Sequence, residues 1–164
     1  MNEILALKQE LSKGNFDSAY DLVEQIEVMT RQDRINQLEN YLALIIARVI
    51  ALTVNKSAAY PIVDSLRDYL IDIKQHNRLG SGFYIQEDEW NSHYQKSLPM
   101  GILKAVDTGL LPTEMGISKL NETVNFKILQ IEVLGLIDLS LSLNACEFQD
   151  YLRNRFESDR LEKK

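Results

Sequence analysis

Residues 41–54 read YLALIIARVIALTV and form the most apolar stretch of the chain. The stretch carries one charged side chain, Arg48. It is too short to cross a membrane as a helix, because a span needs roughly 20 consecutive apolar residues. A helix that is apolar nearly all round is usually surrounded by other helices. We therefore interpret residues 31–54 as the long, apolar central helix of a helical bundle.

Helical periodicity extends on both sides of this stretch. Residues 16–29 carry apolar side chains at i, i+3, i+4 and i+7 spacing, which predicts an amphipathic helix with one buried stripe. Its members are Ala19, Leu22, Val23, Ile26 and Met29. Similar patterns predict helices at 2–12, from Pro61 to the glycine turn at 80–82, from Gln86 onward, at 122–136 with Asn121 as cap, and after a capping box at Asn144 and Glu147.

Two segments depart from the helical pattern of the sequence. Pro99 lies inside a predicted helix, where it removes a backbone hydrogen bond, so we expect a kink or a break there. In residues 137–143 apolar and polar side chains alternate, which is a strand signal. No second convincing strand is evident in the sequence, so this segment is interpreted as an extended connection or an irregular helix.

Length and composition fit one compact domain. The chain has 164 residues with only three prolines and seven glycines, which leaves little chain for turns and favours long helices. We predict an all-α fold, a single-domain helical bundle of about six to seven helices. The domain is expected to cover residues 1–164, with a frayed end at 158–164.

Charge and cysteine content restrict the function. The formal net charge is −6 and no run of basic residues is present, which makes a nucleic-acid role unlikely. The single cysteine, Cys146, excludes an internal disulfide and is expected to be a small packed residue. The first residues, MNEI, lack a basic segment followed by an apolar run, so we expect no secretory signal and a cytoplasmic protein.

An ordered set of segments resembles a known family. Residues 21–29 (DLVEQIEVM) are similar to its LIEEIEEM core, and residues 31–52 resemble its long apolar helix. Residues 65–67 (SLR) resemble its SIR element, and residues 80–85 (GSGFYI) resemble its GGYYL turn. The order and spacing resemble, over residues 4–136, the domain-of-unknown-function family twenty-nine, which is found mostly in cyanobacteria.

This resemblance implies an all-α bundle and no particular activity. The chain also departs from the family pattern. Members often carry histidine where this chain has Arg48, and tryptophan where it has Ile62. Their basic run before the glycine turn is reduced here to Lys74, His76 and Arg78.

Arg48 is the first candidate binding residue. An arginine within an apolar helix must pair with an acid or reach solvent along its stem. Asp64, Asp68 and Glu27 are candidate partners for a structural ion pair. A solvent-reaching arginine and an anion-binding site are the alternatives.

Three further binding candidates follow along the chain. Arg67, with His76 and Arg78, forms a trio that motivates a nucleic-acid hypothesis. Tyr84 and Trp90 follow the glycine turn and are expected to cluster beside it, where aromatic side chains either form a recognition surface or close the end of the bundle.

No convergent catalytic set is evident, and no catalytic residue, metal ligand or cofactor is assigned. The leading hypothesis is a non-enzymatic protein–protein interaction or adaptor module, with a homodimer as one possible form and no membrane association. The alternatives are a nucleic-acid-directed enzyme or defence or toxin–antitoxin component, and a small-ligand or metal-binding helical bundle.

Overall fold

A computed structural model describes residues 2–55, 59–112 and 114–161. Within these ranges the chain forms seven α-helices, a two-stranded hairpin and one 3₁₀ turn, so the predicted all-α fold is confirmed. The elements are α1 Asn2–Ser12, α2 Phe16–Val54, α3 Ala59–His76, β1 Arg78–Leu79, β2 Gly82–Phe83, the 3₁₀ turn Glu87–Glu89, α4 Trp90–Asp107, α5 Ile117–Thr123, α6 Phe126–Ser142 and α7 Ala145–Leu161.

The chain divides into two compact units between Gln37 and Leu38. The N-terminal unit contains α1 and the first part of α2. The C-terminal unit contains the rest of α2 and all later elements. The single-domain interpretation stays a prediction.

The turn between α1 and α2 is closed by a backbone motif that glycine makes possible. Gly14 has a φ of 76°, in the left-handed region. The N–H of Asn15 donates to the carbonyl of Glu10 at 3.0 Å, and the N–H of Gly14 donates to that of Leu11 at 3.2 Å. These two bonds form a Schellman motif, which satisfies carbonyls that the end of α1 leaves free.

One prediction in this region is wrong. Residues 16–29 and 31–54 were expected as separate helices, and they are one continuous helix of 39 residues. No glycine or proline occurs between Asn15 and Pro61, so the polar residues near Thr30 continue the helix instead of ending it. The expected buried stripe is also only partly formed, because Val23 and Met29 are exposed while Ala19 is buried.

The core of the C-terminal unit is built around the second part of α2. Between Leu38 and Leu52 this helix is buried nearly all round, as its composition predicted. Helix α3 packs against α6 and α7, and α4 packs against α5 and α6. Gly101 of α4 allows a close approach to α2, since a Cβ atom there would lie 2.6 Å from Cγ2 of Ile46.

The predicted glycine loop is the turn of a short hairpin, which the sequence did not indicate. Arg78 of β1 pairs with Phe83 of β2, and Gly80 has a φ of 60°. The buried side chain of Asn77 holds the returning chain. Its amide donates to the carbonyl of Ile85 at 3.0 Å and accepts from the N–H of the same residue at 2.8 Å.

Helix α4 begins after the 3₁₀ turn and runs from Trp90 to Asp107 without interruption. The break considered at Pro99 is therefore absent. Pro99 is exposed, and it has no N–H to donate to the carbonyl of Gln95. The core packing of Tyr94, Gly101 and Ala105 on the other side keeps the helix in one piece.

The connection to α6 differs from the prediction. Asn121 lies inside the short helix α5, and Asn125 is the cap of α6, where its side chain accepts from the N–H of Lys127 at 3.1 Å. The ambiguous segment 137–143 is α-helical as far as Ser142. Its serines are satisfied within the helix, as Ser140 Oγ donates to the carbonyl of Ile137 at 2.6 Å.

The predicted cap at Asn144 is confirmed, but the capping box is only half formed, because the Glu147 carboxylate accepts from the side-chain amide of Asn144 and not from its backbone N–H. The side-chain oxygen of Asn144 accepts from the N–H of Glu147 at 2.9 Å. Cys146 in this turn is exposed, so the expectation of a packed cysteine is wrong. Cys146 lies in the first turn of α7 and faces away from the core, whereas Phe148, two residues later, is buried. Helix α7 continues to Leu161, beyond the expected fraying point, and residues 162–164 lie outside the described part.

Helix α2 is the one helix in the described part that is long and apolar enough to cross a membrane by length and composition. Of its most apolar window, 56% is buried inside the protein. Core helices of soluble proteins pass the same test, so this finding is weak support for a span.

Candidate functional site

Arg48 is half-buried and faces α3 from α2. Its Nε donates to Ser65 Oγ at 3.3 Å, and Ser65 Oγ in turn donates to the carbonyl of Ile62. Its guanidinium lies 5.0 Å from the centre of the Tyr69 ring. The expected ion pair is absent from the described residues, because Asp64 and Asp68 contact Arg67 instead.

The aromatic contacts of Arg48 belong to a short stack between α2 and α3. The rings of Tyr41 and Tyr69 are 6.4 Å apart, and those of Tyr41 and His76 are 5.4 Å apart. A cation above a tyrosine ring is attracted by the negative ring face. Nη1 of Arg48 is buried and has no hydrogen-bond partner among the described residues. The stack therefore stabilises an arginine charge without a carboxylate.

Arg67 lies on the side of α3 that faces α7. It contacts Asp68 at 3.3 Å and Asp64 at 3.8 Å, and both carboxylates are exposed. In the amide orientation that satisfies all groups, the side-chain oxygen of Gln149 on α7 accepts from Arg67 Nη1 at 3.2 Å. These partners neutralise Arg67, so it does not present a free positive charge.

The trio of Arg67, His76 and Arg78 does not converge on one site. His76 ends α3, and its Nδ1 donates to the carbonyl of Asp72 at 2.8 Å while its ring contacts Tyr41. Arg78 lies in the hairpin. Each of the three residues has different neighbours, so the structure provides no shared polyanion or catalytic site for them.

Tyr84 and Trp90 lie on either side of the 3₁₀ turn. Tyr84 is half-buried, and its backbone N–H donates to the carbonyl of Asn77 at 2.9 Å. Trp90 is only 5% exposed and belongs to the core, so it closes the end of the unit and is not a surface aromatic. A groove of about 350 Å³ passes beside Trp90 and is lined by Glu87, Asp88 and Asp138.

One histidine–carboxylate pair with acid–base potential is engaged in a structural contact. His93 of α4 and Glu39 of α2 meet at 2.7 Å and are both largely buried. Within the described residues no group of three or more histidine, cysteine or acidic side chains is arranged to hold a metal ion. The contact between His93 and Glu39 therefore acts as a link between two core helices.

The most exposed apolar surface of the N-terminal unit lies on α2. Phe16 is 70% exposed, Tyr20 is 65% exposed, and Val23 continues the same helix face at i+7. We call these three residues the apolar face. Single exposed apolar residues are common on proteins, but three at helical spacing with two aromatic rings form a contiguous patch.

An acidic edge runs beside the apolar face. Asp17, Asp21 and Glu24 are exposed and follow one another at i, i+4 and i+7, about one third of a turn from the apolar face. Residues 16–29 contain four acidic residues and no lysine or arginine. The surface thus combines aromatic side chains with a local negative charge.

The sequence contains a signal for this surface. The apolar arc of residues 16–29 includes Phe16 and Tyr20 and spans about half of the helix circumference. A helix that buries one stripe against a single partner helix needs a narrower arc. The excess width indicates a second contact surface.

No protein-family model, curated protein or solved structure matches this chain.

Proposed function

We propose that this protein is a non-enzymatic interaction module that binds a partner protein through the apolar face. The single observation that carries the proposal is the exposure of Phe16 and Tyr20 on a helix face that nothing within the described N-terminal unit covers. Aromatic side chains are enriched at the centres of protein interfaces, because they bury a large apolar area with few rotatable bonds.

The acidic edge specifies the kind of partner. A helix laid on the apolar face would place its flanking residues beside Asp17, Asp21 and Glu24. Lysine and arginine at those flanks attract these carboxylates and speed association, whereas acidic flanks are repelled. The proposed ligand is therefore an amphipathic helix with an apolar stripe and a basic edge, bound in the helix-to-helix mode.

The same charges argue against a homodimer through this face. A second copy in parallel register would bring two acidic edges together, and like charges at an interface cost affinity. The single-domain protein is proposed to act in the cytoplasm. We also propose that the chain is a member of the domain-of-unknown-function family twenty-nine. That resemblance implies no particular activity, so it is compatible with an interaction module.

The direct test uses two labelled model peptides and the full chain. One peptide repeats leucine and lysine in an amphipathic helical pattern, and the other replaces each lysine with glutamate. Fluorescence anisotropy should show saturable binding of the lysine peptide only. The double variant Phe16→Ser/Tyr20→Ser should weaken that binding by at least about tenfold, since each buried aromatic ring contributes about 1.5–3 kcal/mol.

The matched control is Ile131→Ser, which removes a similarly exposed apolar side chain from α6 in the C-terminal unit. It should leave peptide affinity unchanged. If the lysine peptide binds the double variant as tightly as the original protein, the peptide is held by non-specific charge attraction and not by the apolar face. The proposal is then wrong. Light scattering that shows a dimer dissociated by Phe16→Ser/Tyr20→Ser would assign the apolar face to self-association instead.

A further inference from the structure

A groove of about 370 Å³ lies on the C-terminal unit, where α3, the end of α6 and the start of α7 meet. Its volume is in the range of pockets that hold small ligands. Leu70 and Phe148 form part of its wall and are buried core residues. The groove therefore reaches the apolar interior of the unit.

Two basic side chains line the same groove, Lys74 and Arg78. No aspartate or glutamate is among its lining residues, although the chain as a whole carries a net charge of −6. A positive groove on an acidic protein concentrates field lines and attracts anions of small size. An acidic protein surface repels long polyanions such as nucleic acids at the same time.

Hydrogen bonding leaves most of this positive charge available. Lys74 Nζ donates one bond, at 3.3 Å, to the carbonyl of Leu143 at the end of α6. An ammonium group has three donors, so two remain. Arg78 is exposed, and within the described residues no ion pair or side-chain hydrogen bond engages its guanidinium.

The start of α7 does not by itself supply the anion site. Ala145 lines the groove, but the side chain of Asn144 already accepts from the N–H of Glu147. The recognition elements are thus the two cations at the rim and the apolar wall behind them.

We propose that this groove binds a small amphipathic anion, a carboxylate or phosphate headgroup attached to a short apolar chain. The headgroup contacts Lys74 and Arg78, and the apolar chain lies against Leu70, Ile71 and Phe148. Paired cations suit such headgroups, because charge-assisted hydrogen bonds are about twice as strong as neutral ones. This site is separate from the apolar face of the N-terminal unit and does not depend on the proposed partner binding.

Calorimetric titration with octanoate, octyl phosphate, inorganic phosphate and octanol tests the proposal. Octanoate or octyl phosphate should bind saturably, and the tighter of the two identifies the headgroup. Octanol lacks the charge and inorganic phosphate lacks the apolar chain, so each should bind at least about tenfold more weakly, given that removal of an interaction worth 1.4 kcal/mol has this effect.

Two variants locate the binding in the groove. Arg78→Gln removes an exposed cation, and Gln75→Glu adds a carboxylate to the lining with almost no change of shape. Each should weaken the tighter ligand by at least about fivefold, because Arg78→Gln removes a charge-assisted hydrogen bond and Gln75→Glu adds a charge that repels the anion. Lys96→Gln is the matched control, since it removes an exposed positive charge on α4 that does not line the groove.

Equal affinity of all three variants and the original protein would overturn the proposal. Equal binding of octanol and octanoate would do the same, because it would show an apolar site without anion recognition. If a single-stranded oligonucleotide binds instead in a salt-sensitive way that Arg78→Gln abolishes, the ligand of the groove is a polyanion. That result would overturn the small-anion proposal. The peptide affinity of the apolar face should not change in any of these variants.

Discussion

Gly101 lies at a close approach of α4 to α2. A Cβ atom at this position would lie 2.6 Å from Cγ2 and 2.8 Å from Cβ of Ile46, and 3.2 Å from the carbonyl oxygen of Ala43. The branched Ile46 side chain is fully buried, and protein cores are close-packed. The contact can therefore relax only by separation of the two helices.

We expect Gly101→Ala to lower the free energy of unfolding by about 1–3 kcal/mol, the usual cost of overpacking. Gly135→Ala is the matched control, because a Cβ atom there meets nothing within 4 Å. It should raise stability by about 0.5–1 kcal/mol through the helix preference of alanine. Urea denaturation of both variants measures the difference, and equal effects would contradict the close packing.

Tyr94 is a buried phenol whose hydroxyl has no hydrogen-bond partner among the described residues. Burial raises the pKa of Tyr94 from 10.0 to about 12. A raised pKa means that the folded protein holds the proton more tightly than the unfolded chain. This contribution to stability is complete below pH 10 and is lost as the pH rises from about 10 to about 12.

Tyr94→Phe should therefore be neutral or slightly stabilising near pH 7, because it removes an unsatisfied buried hydroxyl. Near pH 12 the variant should be more stable than the original protein by an additional amount on the order of 2 kcal/mol. Urea denaturation at both pH values gives the comparison. A constant difference between the two proteins across this range would show that Tyr94 ionises as freely as in the unfolded chain.

Among the elements, α4 shows how tertiary packing can override a local breaker. Pro99 lacks the N–H that would donate to the carbonyl of Gln95, yet the helix continues for eight residues beyond it. Pro99→Ala should restore that bond. We expect the unfolding free energy to rise by roughly 1–2 kcal/mol. Alanine is favoured over proline inside a helix, but it also gives the unfolded chain more freedom, which offsets part of the gain.

Urea denaturation again measures the effect of Pro99→Ala, with an unchanged dependence on urea as the sign that the fold is retained. Met100→Ala is a control on the adjacent exposed position and should have little effect on stability. A loss of stability in Pro99→Ala would indicate that the proline contributes packing that its exposure does not show.

The elements also show what could be predicted from sequence. Periodicity located α1 and the buried part of α2, because these helices follow the apolar pattern without interruption. The pattern in 137–143 was ambiguous, because serines such as Ser140 bond to carbonyls of their own helix and so tolerate a buried face. Asn121 and Asn125 are both possible caps by residue type, and the extended backbone at Val124, which ends α5, decides that Asn125 caps α6.

The candidate site was predicted less well than the fold. The sequence correctly predicts that Arg48, Arg67 and Trp90 lie in helices. It does not predict their contacts, because these come from other helices. The Tyr69 ring beneath Arg48 and the amide of Gln149 beside Arg67 are contacts over long sequence distances. A single sequence gives periodicity within an element and does not give the pairing of side chains between elements.

For the whole molecule, the division between Gln37 and Leu38 predicts unequal local stability along one helix. Residues 38–52 of α2 are largely buried, whereas in residues 16–37 only Ala19 is buried. Amides that open locally exchange with solvent faster than amides protected by a core. We expect the amide hydrogens of residues 20–30 to exchange at least about tenfold faster than those of residues 40–52, which corresponds to a difference of 1.4 kcal/mol in opening free energy.

Hydrogen-exchange mass spectrometry of the full chain measures this difference directly. Peptides from the second half of α6, where Val133, Leu136 and Ile137 are buried, provide the internal reference for slow exchange. Uniform protection along α2 would show that the helix opens as one cooperative element. Addition of the leucine–lysine peptide should slow exchange in residues 16–30 and leave α6 unchanged, if the apolar face is its binding surface.

Cys146 is a natural attachment site for a fluorescent label beside the groove. It is the only cysteine in the chain, it is exposed, and it follows Ala145 at the edge of the groove between α3, α6 and α7. A thiol-reactive dye would attach at this one position without any engineered substitution. Its emission would then follow the polarity of the groove entrance, so occupancy by an apolar anion could be read optically in the unaltered sequence.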